Sequence, residues 1–132
     1  MAIARGDYIA LINNDLVVTD GWLERMIDHL DKRPGVGIVG PRSNYVSGPQ
    51  LIPDLAFDDL PQMHAEAARI AGEQAGDGQE FPRVVGFCMV IERAVIDAIG
   101  GFDEGFGLGN FEDDDLCWRA VIAGHRCLIA ND

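Results

Sequence analysis

Tyr8-Ile9-Ala10-Leu11-Ile12-Asn13-Asn14-Asp15 is the stretch on which the fold of this chain turns. Five apolar residues in a row suit a short strand buried on both faces. They run straight into two amides and a carboxylate. That is the composition of a loop at the carboxyl end of a strand, where open α/β sheets bind their ligands. A plain turn accounts for the same three residues, because Asn and Asp side chains satisfy their own backbone. A strand of this kind needs neighbours, and residues 1–6 are too few to supply one. The neighbours then come from another part of a longer chain, or from a second copy pairing with an exposed strand edge.

Outward from this point, strand and helix patterns alternate. Trp22, Leu23, Met26, Ile27 and Leu30 recur at helical spacing, with Thr19 or Asp20 as the expected cap and Pro34-Gly35 as the stop. Residues 36–39 read as a second buried strand, and 41–53 as a loop. Residues 59–74 read as a helix that packs Leu60, Met63, Ala67, Ile70 and Ala71 onto the sheet. Residues 75–80 are polar and read as a connection. Residues 84–91 form the most apolar strand candidate. A short helix over 93–99 closes at Gly100-Gly101, and an irregular stretch over 102–110 carries glycines at 105, 107 and 109. A helix over 112–123 and a strand over 126–130 complete the chain. The expectation is an α/β fold, a sheet flanked by helices, in a single domain over 1–132.

Charge narrows the function. The chain of 132 residues carries 22 acidic and 10 basic side chains, a formal net charge of -12. Such a surface repels phosphate backbones and argues against nucleic-acid binding. An anionic small molecule could still bind if a divalent cation screened it. The three cysteines, Cys88, Cys117 and Cys127, lack CxxC spacing and are expected as buried free thiols. No apolar run reaches membrane-spanning length and no signal pattern opens the chain, so a soluble, cytoplasmic chain is expected. Trp22 and Trp118 fall at core spacing and are read as packing residues. His29 and His64 are read as solvated or capping side chains, and His125 as a partner of a helix terminus.

Glu112-Asp113-Asp114-Asp115 opens the last helix. Carboxylates at a helix N-terminus gain from the dipole, and Asp115 can pair with Arg119 one turn on. Two or three acids would serve that purpose. A fourth, beside a glycine-rich loop, points to a site that handles protons or cations.

Several segments together resemble family 2 glycosyltransferases. The run from Ala4 to Asp15 resembles the lead into that family's metal-binding motif, and Thr19-Asp20-Gly21-Trp22-Leu23 resembles the stretch just C-terminal to the motif. Gly86-Phe87-Cys88-Met89-Val90-Ile91-Glu92-Arg93 is similar to its acceptor-side strand. Gly100-Gly101-Phe102-Asp103-Glu104, Phe111-Glu112-Asp113-Asp114-Asp115-Leu116-Cys117-Trp118-Arg119 and Gly124-His125-Arg126 are similar to its C-terminal signature.

The resemblance implies a GT-A, Rossmann-like fold lacking the N-terminal nucleotide-binding strands, and ending before a histidine that can complete the metal site. It implies a hexosyltransferase-like enzyme of cell-surface polysaccharide synthesis, inactive as this fragment alone. Such an enzyme moves a sugar from a nucleotide-diphosphate donor to a saccharide or other hydroxyl acceptor, with inversion. Asp15, with Asn13, would hold Mg²⁺ or Mn²⁺. Asp113 would be the general base, with Glu112 beside it. Asn13, Asn14, Gly86, Gly107 and Asp114 would contact donor or acceptor, Gly86 by admitting the acceptor close to the backbone. The loop over 104–110 would move over the donor. Two other readings compete: a non-catalytic binding or assembly module descended from such an enzyme, and a nucleotidyltransferase with the same metal logic.

Overall fold

The computed structural model describes residues 3–107 and 109–132. Along the chain run β1 (Tyr8–Ile12), α1 (Trp22–Lys32), β2 (Val36–Pro41), α2 (Leu60–Glu73), β3 (Gly78–Glu80), β4 (Cys88–Glu92), α3 (Arg93–Ile99), α4 (Glu112–Ile122) and β5 (Arg126–Ala130). Short 3₁₀ turns lie at Gly48–Gln50 and Glu104–Phe106. The five strands form one mixed sheet in the order β1-β4-β2-β5-β3. Only β2 and β5 are parallel; the other neighbours are antiparallel.

The sheet is covered on both faces. Met26 and Leu30 of α1 pack with Val36, Val39, Cys88, Val90 and Leu128 on one face. Val95 of α3 and Leu116, Cys117 and Ala120 of α4 pack with Ile38, Met89 and Ile91 on the other. Alternation along β4 produces this split, since successive side chains of a strand point to opposite faces. Cys88, Met89, Val90 and Ile91 are all buried, as a central strand requires. The three cysteines are buried free thiols, as expected.

Several expectations change here. β1 lies at an edge of the sheet, paired only with β4, and Ile9 is its one buried residue. Within this chain its apolar run meets a strand partner on one side only, and β propensity alone suffices for such a run. The cap of α1 is Gly21 in a left-handed conformation with no side-chain bond, in place of Thr19 or Asp20. The third helix candidate, α2, forms as expected, with Asp59 accepting from the Gln62 N–H at 2.9 Å, yet it buries none of its residues. The segment expected as a connection contains β3, which closes the far edge of the sheet against β5. Trp22 does pack against the core, but Trp118 is 53% exposed, because Leu116, Cys117 and Ala120 occupy the inner face of α4. His29 is buried and bonded to Asp132 at 2.8 Å, so it is neither solvated nor a cap.

Candidate functional site

The site begins where β1 ends. The Asn13 N–H donates to the Phe87 carbonyl at 2.9 Å, which ties the end of β1 to the segment just before β4. That segment carries Gly86. The Gly86 N–H donates to Asp113 Oδ2 at 2.7 Å, and Asp113 Oδ1 accepts from the Asp114 N–H at 2.8 Å. Both carboxylate oxygens of Asp113 are therefore held, one across the cleft and one by its own helix. A side chain at position 86 would crowd Asp113: a Cβ there would lie 3.0 Å from Asp113 Cβ, so Asp113 would have to give way. The contact that favours glycine here is with the Asp113 side chain.

A cavity of about 310 Å³ opens over these groups. Asn13, Gly86, Glu112, Asp113 and Asp114 all line it, with Arg83 and Phe111 added. Arg83 Nε lies 2.6 Å from Asp114 Oδ1 and forms an ion pair with it. Glu112 Oε2 is buried with no donor among the described residues. A buried acceptor left without a partner is costly, so such an oxygen marks a place for a ligand hydroxyl or water.

The backbone leading into α4 is strained. Gly107 and Gly109 have positive φ, as do the non-glycine residues Asn110 (79°) and Phe111 (74°). Consecutive left-handed residues with side chains are uncommon and concentrate at functional loops. They turn the chain so that four acids enter the first turn of α4 beside Gly86. Arg119 holds the other side of this loop. It bonds Asp115 Oδ2, the Ile99 carbonyl and the Gly101 carbonyl, each at 2.8 Å. The expected Asp115–Arg119 pair is thus present and also satisfies carbonyls at the end of α3.

Three expected site residues are not gathered into this cavity: Asn14, Asp15 and Gly107. Asn14 and Asp15 form an exposed turn after β1. Gly107 ends the 3₁₀ turn, and Leu108, within the loop expected to move, lies outside the described residues. No three His, Cys, Asp or Glu side chains among the described residues gather as a metal cluster. Asp15 and Asn13 would thus supply one carboxylate and one amide oxygen. That is too few to hold a divalent cation alone, but it fits Mg²⁺ when phosphate oxygens and water complete the shell.

Sequence reasoning missed Gln50. It is buried in a loop, donates from Nε2 to the Pro41 carbonyl at 2.8 Å and accepts from the Val85 N–H at 2.8 Å. It fixes the segment that presents Gly86. A glutamine in a Pro- and Gly-bearing loop gives no sequence signal of this. Arg83 was missed as well; a basic residue just ahead of the most apolar strand of so acidic a chain was the available hint.

Comparison with known proteins adds to this geometry. The family model described as glycosyltransferase like family 2 matches residues 1–132. The pre-mycofactocin glycosyltransferase of Mycobacterium tuberculosis is 30% identical over 146 residues, covering 100% of this chain and 28% of that protein. The uncharacterized protein y4gI of Sinorhizobium fredii is 31% identical over 145 residues, covering 96% of this chain and 14% of that protein. The chain thus spans under a third of the length of either relative. No helix among the described residues is long and apolar enough to cross a membrane. Matched by the family model from end to end, the chain belongs to the glycosyltransferase family 2-like proteins.

Proposed function

We propose that the protein containing this chain transfers a sugar from a nucleotide-diphosphate donor to a hydroxyl acceptor, with inversion, and that the acidic cavity receives the acceptor. The observation that carries the reading is the buried, donor-free Glu112 Oε2 beside the doubly held Asp113 carboxylate. Asp113, whose oxygens each keep a second lone pair, would take the proton of the reacting acceptor hydroxyl, while a neighbouring hydroxyl of the acceptor, donating to Glu112, would orient that hydroxyl. Its oxygen would attack the anomeric carbon from the face opposite the diphosphate, and one displacement inverts the configuration. Gly86 and Gln50 would set the position of the base and Arg83 would balance Asp114. Phe111 would form the apolar rim of the cavity.

Asp15 and Asn13 would hold Mg²⁺ or Mn²⁺ together with the donor phosphates. When bound, the ion would stabilise charge building on the leaving diphosphate. Asn14 and Gly107 would lie on the donor side of the same cleft. The name of the mycobacterial relative, a glycosyltransferase, supports sugar transfer in general.

The test is calorimetric titration of the full-length protein with uridine and guanosine diphosphates, with and without Mn²⁺. Binding should require Mn²⁺ and should disappear in Asp15→Ala. Equal binding without metal would refute the metal assignment.

A further inference from the structure

A second cleft lies on the α1 face of the sheet, between α1, the end of β2 and α2. It encloses about 150 Å³, with Trp22 and Arg25 on one side and Met63, Ala67 and Ile70 of α2 on the other. α2 buries no residue, so this apolar face of the helix stands over the cleft instead of being packed against the sheet.

Arg25 and Arg42 both line the cleft. Their Nε atoms are buried and have no hydrogen-bond partner among the described residues. Neither arginine pairs with a carboxylate among the described residues. That is unexpected in a chain of net charge -12, where carboxylates outnumber cations two to one. Arg42 reaches only the Leu51 carbonyl, at 3.5 Å. The guanidinium of Arg25 lies over Gly21, where a Cβ would come within 2.8 Å of Nη1. The one acid lining the cleft, Asp132, is already engaged: Oδ1 with His29 Nε2 at 2.8 Å and Oδ2 with the Gly76 N–H at 2.7 Å. Two unneutralised guanidiniums at the edge of an apolar cleft match an oxyanion carried on an apolar body.

The cleft also continues toward the acidic cavity. A shallower groove shares Val17, Trp22 and Arg42 with it and ends at Phe87, which lines the acidic cavity in turn. We propose that Arg25 and Arg42 bind a carboxylate or phosphate on an amphipathic acceptor, whose apolar part lies beneath α2 and whose hydroxyl end extends past Phe87 to Asp113. Calling the ligand an acceptor rests on the sugar-transfer reading above; the anion site itself does not.

The experiment uses the full-length protein and three probes: octyl phosphate, octanol and inorganic phosphate. Octyl phosphate should bind about tenfold or more tighter than either of the others. The double variant R25Q/R42Q should lose that advantage. Ala67→Phe, which fills the cleft and leaves both charges in place, should lose it too. Binding of nucleoside diphosphate with Mn²⁺ should be unchanged in both variants, which also shows that they are folded. The proposal is overturned if octyl phosphate binds no tighter than inorganic phosphate, as it would if another segment of the longer protein filled the cleft. Binding by either variant as tight as that of the unaltered protein overturns it equally. Octyl phosphate bound at the arginines of a protein that binds no nucleotide would support the anion site and count against the sugar-transfer reading alone.

Discussion

Replacing Gly86 with alanine adds one methyl group at the closest approach in the site. The new Cβ would lie 3.0 Å from Asp113 Cβ and 3.3 Å from Asp113 Oδ2. Carbon atoms pack comfortably at about 3.5–4.0 Å, so Asp113 must retreat by about 0.5 Å. The hydrogen bond from the Gly86 N–H, now 2.7 Å, would lengthen to about 3.2 Å, the outer limit for N–H···O. Overpacking of this kind costs about 1–3 kcal/mol of stability. A base displaced by a fraction of an ångström from its working position costs up to about 100-fold in rate. Purified full-length Gly86→Ala should therefore melt a few degrees lower and show kcat reduced by about ten- to 100-fold in a sugar-transfer assay. Its affinity for Mn²⁺ and nucleotide should be unchanged. Asp113→Asn, the control, should lose turnover by about 100-fold or more, and also some stability, because its amide nitrogen would face one of the two N–H groups that the carboxylate accepts from. If Gly86→Ala keeps full kcat while Asp113→Asn is inactive, the Gly86 contact does not set the position of the base and the reasoning fails.

Other perturbations probe the supports of the site. Gln50→Leu strands the Val85 N–H and the Pro41 carbonyl and should cost about 2–4 kcal/mol, read as a lower urea midpoint; an unchanged midpoint would mean that water replaces the side chain. Arg119→Met leaves the Ile99 and Gly101 carbonyls without their donor and should cost about 1–3 kcal/mol, with faster proteolysis near residues 100–106. Alkaline pH should destabilise the fold. Burial raises the Cys88 thiol from 9.0 to about 11, so its contribution is complete below pH 9 and is lost as pH rises to 11, up to about 2–3 kcal/mol. Tyr8, raised to about 12 by its bond to Asp31, acts in the same direction between pH 10 and 12, and melting curves that stay flat from pH 8 to 11 would contradict the Cys88 assignment.

Local pattern carried much of the fold. β5 falls on the apolar run of residues 126–130, because Gly124 ends α4 and the polar Asn131 ends the run. α3 and α4 begin where the sequence indicates, within a residue. What local pattern could not carry was position in the sheet. β1 has the composition of a central strand and lies at the edge of the described strands, and an apolar run is equally compatible with either place. β3, Gly-Gln-Glu, has no strand signature; the free edge of β5 makes it a strand. Helical periodicity disclosed α2 but not what lies beneath it. The four acids stood out as a consecutive run, and Gly86 was singled out only through the family resemblance; the structure places both at one cavity. Gln50 and Arg83 were not, because their roles exist only after distant segments meet.

The sheet order has a consequence for how the chain folds. No two described strands that are consecutive in sequence are hydrogen-bonded neighbours: β1 waits for β4, β2 waits for β4 and β5, and β3 waits for β5. There is therefore no hairpin from which the sheet could nucleate. Val36 meets Arg126, 126 − 36 = 90 residues along the chain. Even the shorter pairings close long loops, 91 − 38 = 53 residues for Ile38 with Ile91 and 129 − 79 = 50 for Gln79 with Ile129, which favours slow folding, about milliseconds to seconds. α1 can pack on β2 once both are made, since Met26 and Leu30 meet Val36 and Val39, but β2 gains a described strand partner only when β4 follows, which gives chaperones an interval in which to act.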